Sequence, residues 1–364
     1  MIYLLNILLI LSAPLQSAEP YTPIHPSPFS ESWRYTRFPE VANQGPNCIV
    51  EDHEGRIWLG TSTGILVYDG LTWQDQPPEA GGAPQVASLM VDRDGSILAG
   101  CAFGLYRFKD GVWTKMLPVI EDRLRVRALA RTDDGALWIG CVEGLIRIKD
   151  QETTIFAPEN LLDRLAKLTS PTIRRVMPGE DSRVHNLLPG QGGKLWVASN
   201  ELFRLDLASE TWERFPNLDG GIAYGLAPAV GGGIWMIQAR VVCRFDGNGW
   251  RSFTPPDLKL RQQALLSLKD GTTVVSGSGE LWARNPSWLL PESQWTHTRA
   301  PDSPIPYGAI SDMVETSDGA LWMVGDGLEV VRVDMRRWTT IPGLSIKAHR
   351  PGRDIWFLSG NDVV

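Results

Sequence analysis

Side chains that vary inside an otherwise regular sequence pattern are the first candidates for binding chemistry. A glycine that closes a mostly acidic turn recurs at Gly55, Gly95, Gly135, Gly193, Gly232, Gly271 and Gly319. Eight positions before each glycine the residue changes from unit to unit: Asn47, Ala87, Arg127, His185, Tyr224, Gln263 and Ser311. The residue two positions further on is always Ile, Leu or Met. This pattern indicates an opening at which a sugar or a small acid is hydrogen-bonded.

The predicted ligand-binding residues combine these variable positions with two residues from loops. The loops join the second and third strands of a unit and are expected on the same face as the variable positions. The full set is Asn47, Arg127, His185, Tyr224, Gln263, Arg240 and Glu280. The alternative is that they are ordinary polar residues solvated by water at the rim of a channel.

Residue types used in catalysis or metal binding occur without the spacing that such sites need. The five histidines include no close pair such as H-x-x-x-H, so a zinc site is not indicated. The G-x-S-x-G motif at Gly60–Gly64 lies in a turn of a repeat, and we interpret it as chance. Carboxylate pairs such as Asp92 and Asp94 belong to turns. The sequence therefore predicts no catalytic residue, no metal and no cofactor.

The elements that would position these side chains follow from the spacing of the turn glycines. The intervals are 40, 40, 58, 39, 39 and 48 residues. A period near 40 with strand-like content is typical of the blades of a β-propeller, so the predicted fold class is all-β. Each unit has the pattern of four short antiparallel strands joined by Gly- and Asp-bearing turns. Trp recurs in the second and fourth strands, where it is expected to pack neighbouring blades together.

Both ends of the repeat region favour an eighth blade. Glu31–Phe38 has the pattern of a fourth strand, and Arg353–Val364 has that of a second strand and the start of a third. Pairing between the two segments would remove the exposed edges of an open ring. Seven full repeats and this composite unit predict eight blades, with seven as the alternative.

The remaining segments divide the chain into regions. Residues 1–18 have the apolar core of a secretory signal peptide, and residues 19–30 are interpreted as a linker. Residues 31–364 are predicted to form a single propeller domain. A helical insertion is expected around residues 156–181, with an amphipathic helix at Asn160–Leu168.

Composition and charge limit the partners and the compartment. The net charge of -7 excludes nucleic acid as a likely class of partner, because phosphate binding needs clustered Lys and Arg. The signal peptide predicts a periplasmic or secreted protein without membrane insertion after its removal. Cys48, Cys101 and Cys141 lie in adjacent units, where both a disulfide and free buried thiols are compatible with the pattern.

Three of the units carry a family resemblance. "IVEDHEGRIWLGTSTGILVYDG", "TDDGALWIGCVEGLIRIKD" and "TSDGALWMVGDGLEVVRVD" resemble the two-component regulator propeller repeat. The resemblance covers about residues 31 to 364, and the matching residues belong to turns and packing. It implies the periplasmic sensing part of a membrane-bound sensor kinase, which in the best-known branch responds to glycans. The sequence contains no kinase part.

The residues and the resemblance together predict a non-catalytic, extracytoplasmic propeller that binds or senses a glycan fragment or another small polar ligand. The chain would be a secreted stand-alone propeller or the ectodomain of a truncated sensor kinase. Two alternatives remain open: a propeller-based lyase or glycoside hydrolase, and a scaffold that binds another protein.

Overall fold

Seven antiparallel sheets follow one another around a central channel in the computed structural model. The structure describes residues 19–20, 28–76, 85–117, 124–159, 161–162, 172–179, 183–215, 221–238, 241–255, 264–277, 280–285, 295–299, 309–326, 329–335, 339–340, 345–349, 355–359 and 362–363. The first strands of consecutive sheets contact one another, and the first strand of the seventh sheet contacts that of the first. The sheets are therefore the blades of a closed, seven-bladed β-propeller.

Short turns connect the strands within each blade. The strands of blades 1 and 2 are Pro46–Glu51, Ile57–Thr61, Ile65–Tyr68 and Trp73–Asp75, then Val86–Val91, Ile97–Cys101, Gly104–Lys109 and Val112–Lys115. Those of blades 3 and 4 are Val126–Arg131, Leu137–Cys141, Gly144–Lys149, Glu152–Ala157 and Thr172–Val176, then Asn186–Gly190, Lys194–Ala198, Leu202–Asp206 and Trp212–Phe215. Those of blades 5 and 6 are Ala223–Pro228, Ile234–Gln238, Val241–Phe245 and Trp250–Ser252, then Leu265–Ser267, Thr273–Gly277, Glu280–Arg284 and Thr296–Arg299. Blade 7 consists of Ala309–Glu315, Ala320–Asp326, Val330–Asp334 and Tyr35–Phe38.

The prediction of eight blades is wrong, because the strand assigned to the eighth blade completes the seventh. Tyr35–Phe38 pairs antiparallel with Val330–Asp334, whose sheet needs one more strand to match the other blades. Ser345–His349, Ile355–Ser359 and Asp362–Val363 form a separate three-stranded sheet. With the edge of blade 7 filled from the N-terminal side, the ring is closed without the predicted composite unit.

Three short 3₁₀ helices flank the closing strand: Pro28–Ser30, Ser32–Arg34 and Pro39–Gln44. A further pair of two-residue strands, Glu19–Pro20 and Thr339–Thr340, also joins the two ends of the chain.

Side chains fix the closing segment against blade 7. The guanidinium of Arg34 is buried, and its Nε donates to Oε2 of Glu31 at 2.5 Å. Its Nη1 donates to the carbonyl oxygen of Asp334 at 3.0 Å. Phe38 stacks on Trp322 with ring centroids 5.1 Å apart. Ring closure therefore depends on both a buried ion pair and aromatic packing.

Tryptophans of the second strands contact aromatic side chains of the next blade, which confirms their predicted packing role. Trp58 of blade 1 has its ring centroid 5.1 Å from Phe108 and 6.3 Å from Trp113, both in blade 2. Trp322 of blade 7 lies 5.9 Å from Tyr68 in blade 1. Such aromatic pairs contribute about 0.5–1.5 kcal/mol beyond the apolar area that they bury.

Glycines in the second strands allow adjacent blades to approach closely. A Cβ added at Gly60 would lie 2.7 Å from Cγ1 of Val86 in the next blade. A Cβ added at Gly140 would lie 2.5 Å from Cγ1 of Val184, two residues before the first strand of blade 4. Both distances are shorter than real contacts of a Cβ, so any larger residue would push the blades apart.

The long third interval adds a fifth strand to blade 3. Thr172–Val176 pairs parallel to Glu152–Ala157 at the outer edge of the sheet. Glu159, Leu161 and Leu162 are helical, and the two leucines pack against buried residues of blades 2 and 3. The rest of the predicted helix lies outside the described residues, as does the predicted signal peptide.

Candidate functional site

Five of the variable residues of the sequence pattern are bulged residues of the innermost strands. Pro46 is opposite Thr61 and Cys48 is opposite Gly60, so Asn47 between them has no partner in the ladder. The same irregularity in blades 2, 3, 5 and 7 occurs at Ala87, Arg127, Tyr224 and Ser311. A β-bulge re-aims the side chain of its extra residue. Each of these innermost strands therefore has one position whose side chain does not follow the regular alternation of side chains between the two faces of the sheet.

These positions meet at a cavity of about 360 Å³ at the mouth of the central channel. Four of the predicted ligand-binding residues line it: Asn47, Arg127, His185 and Tyr224. His185 directly precedes the first strand of blade 4, and its amide donates to the carbonyl oxygen of Ala198 at 2.8 Å. Blades 1, 3, 4, 5 and 7 thus all contribute polar side chains to one cavity.

Of the other three predicted residues only Glu280 is described, and it does not join this cluster. Glu280 begins the third strand of blade 6, where it is buried, and it does not line the cavity. Its Oε2 lies 3.9 Å from Nε2 of His297, which stacks on Trp282. Gln263 and Arg240 lie outside the described residues.

Basic side chains gather on the side of the cavity that blades 3 and 4 form. Nη1 of Arg127 donates to Nδ1 of His185 at 3.3 Å, since a guanidinium can only donate. The ring of His185 lies edge-on to that of Tyr224, with centroids 5.6 Å apart. Partial desolvation lowers the pKa of Arg127, although its side chain remains exposed at the cavity, and the positive charges of Arg183 and Arg125 lower it further. The three arginines therefore lie within electrostatic range of one another, and Arg127 is the one that lines the cavity.

The opposite side of the cavity holds a carboxyl group, Asp312, that the sequence analysis did not single out. Oδ2 of Asp312 accepts from the amide of Ile49 in blade 1 at 3.0 Å, and Oδ1 accepts from the amide of Met313 at 2.9 Å. Burial raises the pKa of Asp312 to about 6, and these two amide hydrogen bonds offset part of the increase. Its equivalents are small or uncharged: Cys48, Ser88, Ala128, Asn186, Gly225 and Ala264. The sequence signal that could have identified Asp312 is a carboxylate at a position where the other units have a small or uncharged residue.

Replacing Asp312 with asparagine is expected to change how stability depends on pH. An unfolded aspartate has a pKa of about 3.9, whereas the folded protein holds the pKa of Asp312 at about 6. Between about pH 4 and about pH 6 the folded state therefore binds more protons, and this residue's contribution to the free energy of unfolding falls as pH rises. Asp312→Asn should remove that fall, which amounts to about 2–3 kcal/mol.

Urea unfolding of both proteins from about pH 4 to about pH 7.5 measures this effect. The free energy of unfolding of Asp312→Asn should rise relative to that of the native chain as pH increases, and the difference should level off above the folded pKa. Asp133→Asn is the control, because the side chain of Asp133 is fully exposed. Parallel pH curves for Asp312→Asn and the native chain would show that the pKa of Asp312 is not raised.

The cysteines are free and buried at Cys48, Cys101, Cys141 and Cys243. Burial raises the pKa of the thiols of Cys101, Cys141 and Cys243 to about 12. A reactive thiolate therefore does not form at these positions near neutral pH. Of the two arrangements compatible with the sequence, the structure has free buried thiols.

The segment that leads into and forms the first two strands of blade 1 matches a known family. Residues 41–63 match the family model of the two component regulator propeller. The chain carries a two-component regulator propeller repeat. The resemblance predicted from the repeated units is thereby confirmed. No curated protein matches the chain significantly.

The fold that contains this regulator propeller repeat is shared with solved structures. Extracellular domains of two putative hybrid two component systems from B. thetaiotaomicron superpose with TM-scores of 0.65 and 0.66 at 14% and 13% identity. The alignments cover 82% and 86% of this chain but only 39% and 42% of those chains. Virginiamycin B lyase from Staphylococcus aureus superposes with a TM-score of 0.65 at 13% identity, covering 83% of this chain and 98% of the lyase. At these identities the likeness establishes the fold alone.

Two structural features were absent from the part of the chain that the structure describes. None of its described helices is long and apolar enough to cross a membrane. Among the described residues, no group of three or more His, Cys, Asp or Glu side chains is placed to hold a metal ion.

Proposed function

We propose that this propeller is a non-catalytic sensory domain that acts outside the cytoplasm and binds a small polar ligand, such as a glycan fragment. The observation that carries the proposal is the convergence of bulged side chains from separate blades on one cavity. Blade packing fixes where these side chains lie, while their identities vary from blade to blade. Such a ring can change its ligand specificity without changing its fold.

The comparisons support the sensory role and the location. The regulator propeller repeat lies in the first blade, and the extracellular domains of hybrid two component systems have the same fold. In such a domain the ligand site has to be open to solvent, and the cavity at the channel mouth is lined by exposed Arg127 and Tyr224.

Substitution of Tyr224 tests the proposal in the full chain. Thermal shift and calorimetry with a panel of neutral and acidic mono- and disaccharides first identify the sugars that bind. Because Tyr224 is 43% exposed, Tyr224→Ala should leave the unfolding temperature nearly unchanged. It should weaken binding of those sugars about tenfold or more, as expected for loss of an aromatic contact residue.

Leu71→Ala is the matched control, since Leu71 is a 70% exposed side chain in the turn between the third and fourth strands of blade 1. That turn lies at the end of the strands away from the cavity. Failure of every sugar to shift the unfolding temperature would overturn the proposal. Equal binding by Tyr224→Ala and Leu71→Ala would show that the ligand binds elsewhere.

Catalysis is tested in parallel with virginiamycin B, because a lyase named for that compound shares the fold. The expected result is an unchanged chromatographic retention time and fragmentation spectrum of the compound after prolonged incubation, because an elimination that opens a ring would leave its mass the same. Conversion that His185→Ala abolishes without unfolding the protein would replace the sensory proposal with an enzymatic one.

A further inference from the structure

The two sides of the cavity differ in electrostatic character. Arg127 lies on the side of blades 3 and 4, close enough to Arg125 and Arg183 for their charges to lower its pKa. Asp312 lies on blade 7, which is on the far side of the seven-bladed ring from blades 3 and 4. A ligand that spans the cavity therefore meets the guanidinium of Arg127 at one end and the carboxylate of Asp312 at the other.

The backbone around the cationic side is held in uncommon conformations. Arg125 has a φ of 48°, in the left-handed region that residues other than glycine seldom adopt. Arg127, two positions later, is the bulged residue of the strand. Residues in such conformations persist where the surrounding structure enforces them, and they cluster at functional sites. Both arginines thus lie in a segment whose backbone departs from a regular strand.

The guanidinium of Arg127 is oriented for recognition. Its hydrogen bond to Nδ1 of His185 uses one of five N–H donors, and the ring of His185 is itself held against Tyr224. The remaining donors include a pair of parallel N–H groups, which is the geometry that binds a carboxylate with two hydrogen bonds. An anionic group at this position would also relieve the repulsion between the arginines.

The opposite side of the cavity suits hydroxyl groups. Each oxygen of Asp312 accepts one amide hydrogen bond, and a carboxylate has about four acceptor positions, so it can accept further donors. Nδ2 of Asn47 donates to the carbonyl oxygen of Val86 at 3.2 Å, which fixes the amide of Asn47. Tyr224 is 43% exposed and offers an aromatic face beside the cationic side.

We propose that the ligand of this cavity is an acidic sugar whose carboxylate pairs with Arg127 and whose hydroxyl groups bond to Asn47 and Asp312. This inference rests on the proposed function and names the ligand class of the same site. The volume of about 360 Å³ is at the small end of the range for ligand sites, about 300–1,000 Å³, and suits one or two sugar rings. His185 is a positioning residue for Arg127.

Matched ligands test the carboxylate directly in the full chain by calorimetry. The probes are D-galacturonate and D-glucuronate with their disaccharides, the methyl esters of the same sugars, D-galactose, D-glucose and acetate. At least one acidic sugar should bind tenfold or more tightly than its own methyl ester, because the ester keeps the ring and loses the charge. Arg127→Met should weaken binding of the acid about 10- to 100-fold and binding of the ester by a clearly smaller factor, because the ester carbonyl accepts only a neutral hydrogen bond from the guanidinium.

Two further variants complete the design. Arg127→Lys keeps the charge but loses the paired donors. Its affinity for the acidic sugar should therefore lie between that of Arg127→Met and that of the native chain. Arg251→Met is the matched control, because the side chain of Arg251 is 74% exposed on the outer strand of blade 5. Its affinities should equal those of the native chain.

The outcomes separate this inference from the proposed function. Equal affinity for the acids and their esters, with no effect of Arg127→Met, would overturn the acidic-sugar inference and leave a neutral-sugar sensor. Acetate binding as tightly as the best uronate would overturn the assignment to a sugar. Absence of binding by any sugar, acidic or neutral, would overturn both proposals.

Discussion

Phe38→Ala is expected to lower the free energy of unfolding by about 3–5 kcal/mol, the usual cost of removing a buried phenylalanine. Phe38 lies in the strand that completes blade 7, and its ring is only 8% exposed. It stacks on Trp322 and meets Tyr68 and Trp73 of blade 1 edge-on, at 5.3 and 5.9 Å between centroids. The substitution therefore weakens the fourth strand of one blade and its contact with the next.

Urea unfolding monitored by tryptophan fluorescence measures the change, because Trp73 and Trp322 lie at the affected interface. Phe103→Ala is the matched control, since the ring of Phe103 is 40% exposed in the turn between the second and third strands of blade 2. Phe103→Ala should lower the free energy of unfolding by less than about 1 kcal/mol. Equal losses in the two variants would mean that Phe38 does not hold the closing strand.

Glu31→Ala is expected to cost a similar amount, about 3–5 kcal/mol, for an electrostatic reason. The side chains of Glu31 and Arg34 are 2% and 3% exposed, and Oε2 of Glu31 lies 2.5 Å from Nε of Arg34. The substitution removes from the buried guanidinium a carboxylate that lies 2.5 Å from it, and that is more costly than losing an exposed ion pair.

A double variant separates this explanation from a loss of packing. Glu31→Ala combined with Arg34→Leu removes the buried charge as well, so it should recover most of the lost stability. Arg37→Ala serves as the control, because the Arg37 side chain is 48% exposed and its ion pair with Glu329 should contribute less than about 1 kcal/mol. A double variant no more stable than Glu31→Ala would rule out the charge as the cause.

The residue types of turns and blade interfaces made the propeller fold and the strands of most blades predictable from the sequence. Turn glycines and periodic tryptophans such as Trp58 and Trp322 repeat with the blades, because hairpins and blade packing need the same residue types each time. The blade count was not predictable in this way. Tyr35–Phe38 has the pattern of a fourth strand whichever blade receives it, and only the three-dimensional ring selects Val330–Asp334 as its partner.

The candidate site was predictable to the extent that it follows the repeat. Asn47, Arg127, His185 and Tyr224 stand at one position of the unit, so the ring brings them together at one cavity. Glu280 was assigned to the same face from its loop, but distance from the channel axis is not encoded in the repeat. Asp312 was not predicted, because its position is occupied by small or uncharged residues in the other blades and the repeat therefore does not mark it as a site. Only its charge distinguishes it from those equivalents.

The closing strand also determines the order in which the chain can reach its native state during synthesis. Tyr35–Phe38 leaves the ribosome early, but its partner strand, Val330–Asp334, is made about 300 residues later. Until then Tyr35–Phe38 has an unpaired edge, and Phe38 lacks its native neighbours. A strand in this state can pair wrongly or bind a chaperone. Joining segments so far apart in sequence is slow, because the entropy of closing the loop is lost before any contact forms. The residues of the first six blades are therefore all synthesised before the strand pair that closes the ring can form.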